Sequence, residues 1–412
     1  MTAARWPPPD DRRPVTGTPV TAAGARAPGD RLLVHGLGHD LAEADWPPLD
    51  DDEVGALLAR YRPAGDPVWS PARVRWRSPR PLSAAALVEH GGATLFVKRH
   101  DPRVRTADQL AVEHAFARHL ARAGLRVPQA LADRDGATAV TLAGGLYEVL
   151  PVAPGVDAYR DAPSWTPYRT DHHARAAGAA LATFHRAAAG FGRPARPFGV
   201  LSGSCTVVTA ADPIGRIGQL AAARPGLAGA LRGRPWRRDL DRHLLPALEA
   251  AAPLVARLTP QWAHGDWHPS NLTWTDASDR ADVVAVLDLG LADRTSAAHD
   301  VAVALERSVV SWLDLDHPGG ATADLAATAA FLDGYAAVRP LAPLERAAVA
   351  ALLPVVHLDF ALSELEYFSA VLASPDRARL TYDTYLVGHA RFFSQPGGRA
   401  LLDLLRRRSD AP

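Results

Sequence analysis

The sequence predicts an α+β chain in two lobes, a small antiparallel sheet followed by a larger, mainly helical lobe. Three observations lead there. Short alternating segments joined by turn residues run from about residue 72 to 150. After Pro151 apolar residues recur at helical spacing. One stretch, 262–290, interrupts the helices with a polar loop and a short apolar strand. Strands first and helices afterwards is the order of an α+β fold rather than of alternating βα units, and 412 residues can bury cores for both parts. The expected organisation is a disordered arm over 1–30, a first lobe over 31–148 and a helical lobe over 149–412.

Residues 1–30 are rich in Pro, Ala, Gly and Asp without an apolar period, the composition of an unstructured arm. Residues 49–61 open on Asp50-Asp51-Asp52-Glu53 and read as a short helix with its acidic turn at the N-terminus. Arg73–Arg77, Ala85–Glu89 and Thr94–Lys98 read as strands, the last two joined by the turn His90-Gly91-Gly92. Thr106 with Gln109 forms a capping box for a helix that carries Leu110, Phe116 and Leu120 and stops at Gly124. Val127–Leu150 reads as two further strands around the Asp133–Gly136 turn and Gly144-Gly145. Helices are then expected over 172–189, 240–257, 297–312, 321–337, 344–372 and 380–394, with Val283–Leu287 as the embedded strand.

Composition excludes several classes of function. Lys and Arg total 45 and Asp and Glu total 45, so the chain lacks the basic field of a dedicated nucleic-acid binder. One cysteine, Cys205, permits neither an internal disulfide nor a cysteine zinc site. No apolar run approaches the ~18 residues of a membrane span, and the first residues lack the apolar core of a signal peptide, so a cytoplasmic location is expected. Of the basic residues only Lys98 is lysine. In a chain that otherwise uses arginine, a single lysine marks a place where a compact ammonium is needed and a guanidinium does not serve.

The segment His264-Gly265-Asp266-Trp267-His268-Pro269-Ser270-Asn271 concentrates polar chemistry. His264 and His268 are four apart, the spacing of a zinc pair on a helix, but Gly265 and Pro269 oppose a helix. Asp288 follows the apolar strand Val283–Leu287, where an Asp is a turn former or, beside a second ligand, a metal donor.

This segment resembles the catalytic loop H-G-D-x-H-x-x-N of the aminoglycoside phosphotransferase and choline kinase-like family, over about residues 72–372. The resemblance implies a bilobal protein kinase-like fold and transfer of the γ-phosphate of ATP or GTP, with Mg2+, to a hydroxyl of a small molecule. It implies Asp266 as catalytic base and Asn271 and Asp288 as metal ligands. His264, His268 and Asp300 become supports of the catalytic loop. It further implies Lys98 on the α- and β-phosphates, Glu113 as its ion-pair partner, and the backbone of Glu148 to Leu150 at the adenine edge. Two features depart from the kinase pattern. Ser78-Pro79-Arg80-Pro81-Leu82-Ser83 stands where a Gly-rich loop would cover the phosphates, leaving backbone amides, Arg80 and the Ser83 hydroxyl for that task. Gly265 replaces the arginine of H-R-D, which points to a small-molecule acceptor without control by loop phosphorylation. For the acceptor, His357, Ala361, Glu364 and Phe368 share one helix face, making Glu364 and His357 candidate contacts. A catalytically silent nucleotide-binding protein acting through a protein partner is the alternative, and a metal-independent hydrolase a third.

Overall fold

The structure, a computed structural model, describes residues 33–35, 40–61 and 71–410. The expected arm over 1–30 lies outside the described residues. Two short strands, β1 (Leu33–His35) and β2 (Leu41–Glu43), precede helix α1 (Asp51–Leu58), whose N-cap Asp50 accepts from the Glu53 amide. Then β3 (Arg73–Arg77), β4 (Ala84–His90), β5 (Ala93–His100), β6 (Val140–Leu142) and β7 (Gly145–Pro151) form one antiparallel sheet in the order β3-β4-β5-β7-β6. The β4–β5 hairpin closes through Gly91 and Gly92, with φ of +58° and +79°, so both central residues take the left-handed conformation that a two-residue hairpin requires. The first lobe's core lies between α1 and this sheet, with Val54, Leu57, Leu58, Ala86, Val88, Val97 and Val149 buried in it.

Helix α2 (Ala107–Arg122) crosses between strands β5 and β6, and its Thr106–Gln109 capping box forms as expected. Its Phe116 and Leu120 belong to the large core of the second lobe, with Phe116 edge-on to Phe184 at 5.8 Å. The region 127–139 is not a strand, in contrast to expectation. It is tied down instead by single bonds, such as the Leu131 amide to the Val149 carbonyl at 2.8 Å.

The first helix of the second lobe is α3 (Asp171–Ala188). The helices α4 (Pro213–Ala223), α5 (Pro225–Leu231), α6 (Trp236–His243) and α7 (Leu245–Val255) follow. Two antiparallel pairs then frame the polar segment: β8 (Gln261–Ala263) with β11 (Asp293–Thr295), and β9 (Leu272–Trp274) with β10 (Val283–Val286). Helices α8 (Ala297–Ser308), α9 (Leu325–Val338), α10 (Pro343–Leu352) and α11 (Leu358–Glu366) complete the described core, and further helical segments run to Asp410. Helices α3 and α9 approach so closely that a Cβ at Gly178 would overlap the Phe331 carbonyl, and one at Gly334 the Arg175 carbonyl. The single helix expected over 344–372 is broken between α10 and α11 around Pro354, which supplies no amide to the ladder.

Candidate active site

Lys98 lies near the end of β5, opposite Glu148 on β7. Its ammonium meets Asp288 Oδ2 at 3.0 Å, with side-chain exposures of 16% and 42%. Burial works against the charge on Lys98, but the carboxylates of Asp288 and Glu148 outweigh it and raise its pKa above the ordinary lysine value. Burial likewise opposes the Asp288 carboxylate, and the Lys98 ammonium overcomes this to bring it down to about 2. Asp288 has φ of +49°, a left-handed conformation uncommon for a side-chain-bearing residue and typical of places where local strain is kept for function.

The polar segment folds as an irregular loop, not a helix, so the zinc pairing of His264 with His268 does not form. Among the described residues no group of three or more His, Cys, Asp or Glu is arranged to hold a metal. His264 Nε2 donates to the Leu287 carbonyl at 2.9 Å, while its Nδ1 accepts from the Asp266 amide at 3.2 Å. One neutral tautomer satisfies both bonds, in keeping with burial lowering its pKa. Asp300 on α8 accepts from the amides of His264 and Gly265, each at 2.8 Å, and from His185 Nε2 at 2.9 Å. Burial alone would protonate it; these donors outweigh the burial and hold the carboxylate below its ordinary pKa. Gly265 has φ of +74°, and a Cβ there would overlap the Leu291 carbonyl, so the loop has a steric reason for glycine at this position.

Asn271 Nδ2 donates to the backbone carbonyl of Asp266 at 2.9 Å and to its Oδ2 at 3.0 Å. This commits the amide nitrogen and turns the amide oxygen away from that carboxylate. The Leu287 amide donates to the Asn271 carbonyl at 2.8 Å, which sets Asp288, the next residue, beside the loop. His268 is buried, lowered to about 3 by burial and the Arg80 charge, with Nε2 3.6 Å from Asp266 Oδ1.

Several expected roles change. Glu113 is not the ion-pair partner of Lys98: its carboxylate lies 2.6 Å from Arg196 and 3.5 Å from Arg105. The Glu148 side chain accepts from His100 at 3.0 Å and from His114 at 2.9 Å. Burial disfavours its charge, but these bonds outweigh that and keep it well below the ordinary carboxylate range. The backbone of Glu148 and Leu150 is not an adenine edge. Val149 turns its carbonyl to Leu131, so by strand alternation its neighbours face β5, opposite Lys98 and Phe96. The strand continues to Pro151, past the expected lobe boundary at 148/149. His357 and Glu364 do not line an open face: they are 2% and 6% exposed, and His357 Nε2 donates to the Leu386 carbonyl at 3.1 Å. Ser83 is half-buried at the end of the turn before β4. In the same turn Arg80 bonds the Ala162 carbonyl at 2.8 Å, linking the segment that replaces a Gly-rich loop to the second lobe.

One residue at the site escaped the sequence reading. Arg307, on α8, contacts Asp266. It lies seven residues after Asp300, two helical turns along the same face, and that spacing on a wholly buried helix was the available signal.

A model described as the phosphotransferase enzyme family matches residues 82–341. The homoserine kinase of Xanthobacter autotrophicus is 30% identical over 280 residues, 68% of this chain and 75% of that protein. The homoserine kinase of Phenylobacterium zucineum is 26% identical over 334 residues, 79% of this chain and 88% of that protein. Among solved structures, a microcompartment-associated aminopropanol kinase aligns with a TM-score of 0.52 at 18% identity, over 86% of this chain and 100% of the other. An aminoglycoside phosphotransferase of Alicyclobacillus acidocaldarius aligns with a TM-score of 0.50 at 19% identity, over 89% and 98%. These likenesses establish the protein kinase-like fold. With a family match spanning most of the chain, the protein belongs to the phosphotransferase enzyme family and is a small-molecule kinase.

Proposed function

We propose that the protein transfers the γ-phosphoryl group of ATP or GTP, with Mg2+, to a hydroxyl of a small molecule, using Asp266 as the base. The observation that carries this reading is the meeting of Lys98 with Asp288 at 3.0 Å, beside a loop in which Asn271 holds Asp266 at 3.0 Å. The ammonium would hold phosphate oxygens. Asp288 and the amide oxygen of Asn271 fit magnesium, which takes one or two protein oxygens and completes its shell with phosphates and water. When bound, the metal supplies charge neutralisation at the phosphates. Asp266 accepts the hydroxyl proton as the acceptor oxygen bonds to the γ-phosphorus. The bond from that phosphorus to the β–γ bridging oxygen breaks, giving a phosphate ester and a nucleoside diphosphate.

The curated relatives make L-homoserine the first acceptor to try. Purified protein with Mg2+ and ATP or GTP is expected to yield a phosphate ester visible by 31P NMR. Asp266→Ala should lower turnover by about 100-fold or more, the usual contribution of a general base. Near-wild-type turnover in that variant would remove Asp266 from the role. Magnesium-dependent nucleotide binding without transfer to any acceptor would favour the catalytically silent alternative.

A further inference from the structure

We infer that Arg307 reads a carboxylate on the acceptor, so that this site takes small hydroxylated carboxylic or amino acids and disfavours polycationic sugars; the inference rests on the phosphotransferase reading above. Arg307 is 3% exposed and in contact with the carboxylate assigned as base. Its guanidinium carbon lies 5.0 Å from the ring centres of both Trp165 and Phe360. Two aromatic rings flank the planar group, so its hydrogen-bonding edge is the side from which a carboxylate would meet it.

That edge is only partly satisfied within the chain. Arg307 Nε is buried without a hydrogen-bond partner, while Nη1 is in direct contact with Asp266 Oδ1 and the Tyr385 hydroxyl faces the guanidinium. Buried guanidinium donors are costly to leave unpaired, so the arrangement calls for another acceptor group. The neighbouring carboxylates do not fill the need. Glu306 Oε2 is 3.9 Å from Arg307 Nε, and its other oxygen is held by His389 at 2.7 Å. Burial pushes Glu306 up to about 7 and Glu364 to about 8, so neither is a full negative charge at neutral pH.

The contact with Asp266 also has a chemical consequence. A carboxylate paired with a guanidinium is a weaker base than a free one. An acceptor that brings its own carboxylate takes the Arg307 edge and releases Asp266 toward the acceptor hydroxyl. An acceptor bearing only ammonium groups instead meets Arg307 as a like charge in a buried setting, where repulsion is poorly screened.

The test compares acceptors that differ only in the carboxylate: L-homoserine with 3-aminopropan-1-ol, and 4-hydroxybutyrate with propan-1-ol, at saturating Mg2+ and ATP or GTP. In the wild-type protein kcat/KM is expected to favour the carboxylated member by roughly 100-fold or more, since a site built for a polar group rejects the analogue lacking it. In Arg307→Met that ratio should collapse to within about 3-fold of unity, with Arg307→Lys between the two. A loss in Arg307→Met that leaves the ratio unchanged would overturn the inference and make Arg307 a support of Asp266 alone. A best acceptor without a carboxylate would also overturn it, and the wild-type comparison decides this even if the variants do not fold. The same pairs titrated calorimetrically in the presence of a non-hydrolysable nucleotide give a second readout. Carboxylate-dependent binding, lost in Arg307→Met but without phosphate transfer, would uphold the inference while refuting the phosphotransferase reading. Binding that ignores the carboxylate would overturn the inference with transfer intact.

Discussion

Lys98 and Asp288 are separated by 190 residues in the chain and by 3.0 Å in space. One comes from the sheet of the first lobe, the other from the end of an apolar strand in the second. Each is partly open and each stabilises the charge of the other, and in the proposed function this is where a triphosphate would sit. In a chain with a single lysine, the compact ammonium stands at this point.

The pair is expected to matter for nucleotide use far more than for stability. Half-open ion pairs contribute about 0–1 kcal/mol. Lys98→Met should therefore leave the urea midpoint nearly unchanged while lowering kcat/KM for ATP or GTP by about 100-fold. Lys98→Arg should not rescue it, since a planar guanidinium cannot take the place of a compact charge between phosphate oxygens. Full activity in the arginine variant would defeat the argument from the lone lysine.

Asp300 carries structural weight. Its two oxygens receive the amides of His264 and Gly265 and the ring of His185, and it is fully buried. Asp300→Ala would leave three buried donors unpaired, at about 1–3 kcal/mol each. The expected result is a loss of at least about 3 kcal/mol in chemical denaturation, with hydrogen exchange quickened at the His264 and Gly265 amides. Unchanged exchange at those amides would show that the loop is held by something else.

Gly265 gives a sharper case. An alanine there needs the left-handed conformation and overlaps the Leu291 carbonyl. Gly265→Ala should cost about 2 kcal/mol or more and displace Asp266 from the position that Asn271 holds, so activity should fall even at temperatures where the variant remains folded. An active, equally stable variant would mean that the β11 side of the loop yields easily.

Much of this was legible in the residues, and the failures have physical causes. The β4–β5 hairpin and the α2 cap were readable because Gly91-Gly92 and Thr106–Gln109 are local signals that tertiary packing did not override. The Asp266–Asn271 contact was readable because the two residues are close in sequence. The partner of Lys98 was not, because an ion pair is chosen among charges that the chain brings together from afar; Arg196 took Glu113 and left Asp288 to Lys98. Helices α4 and α5 went unread over 213–231, a stretch rich in Gly, Pro and Ala whose apolar period is short. Arg307 was hidden by abundance: where nearly every basic residue is arginine, none announces itself.

The buried carboxylates behind Arg307 should shape the pH dependence of stability. Burial raises Glu364 to about 8, against the weaker opposing effect of Arg307, with Asp45 raising it further and a bond to Thr381 lowering it. Because the folded pKa lies above the unfolded one, the folded state holds a proton that the unfolded chain releases between about pH 4.5 and 8. Stability from this group is thus fully present below the unfolded pKa and is lost as pH rises toward 8. The buried histidines act with the opposite sign below about pH 6.5, so the wild-type curve mixes the two, and comparison with Glu364→Gln isolates the glutamate. The glutamine variant should gain on the wild type by on the order of 1 kcal/mol per pH unit between pH 5.5 and 8. Urea denaturation at those two values measures it, and parallel shifts at both would show that Glu364 does not carry a proton in the folded protein.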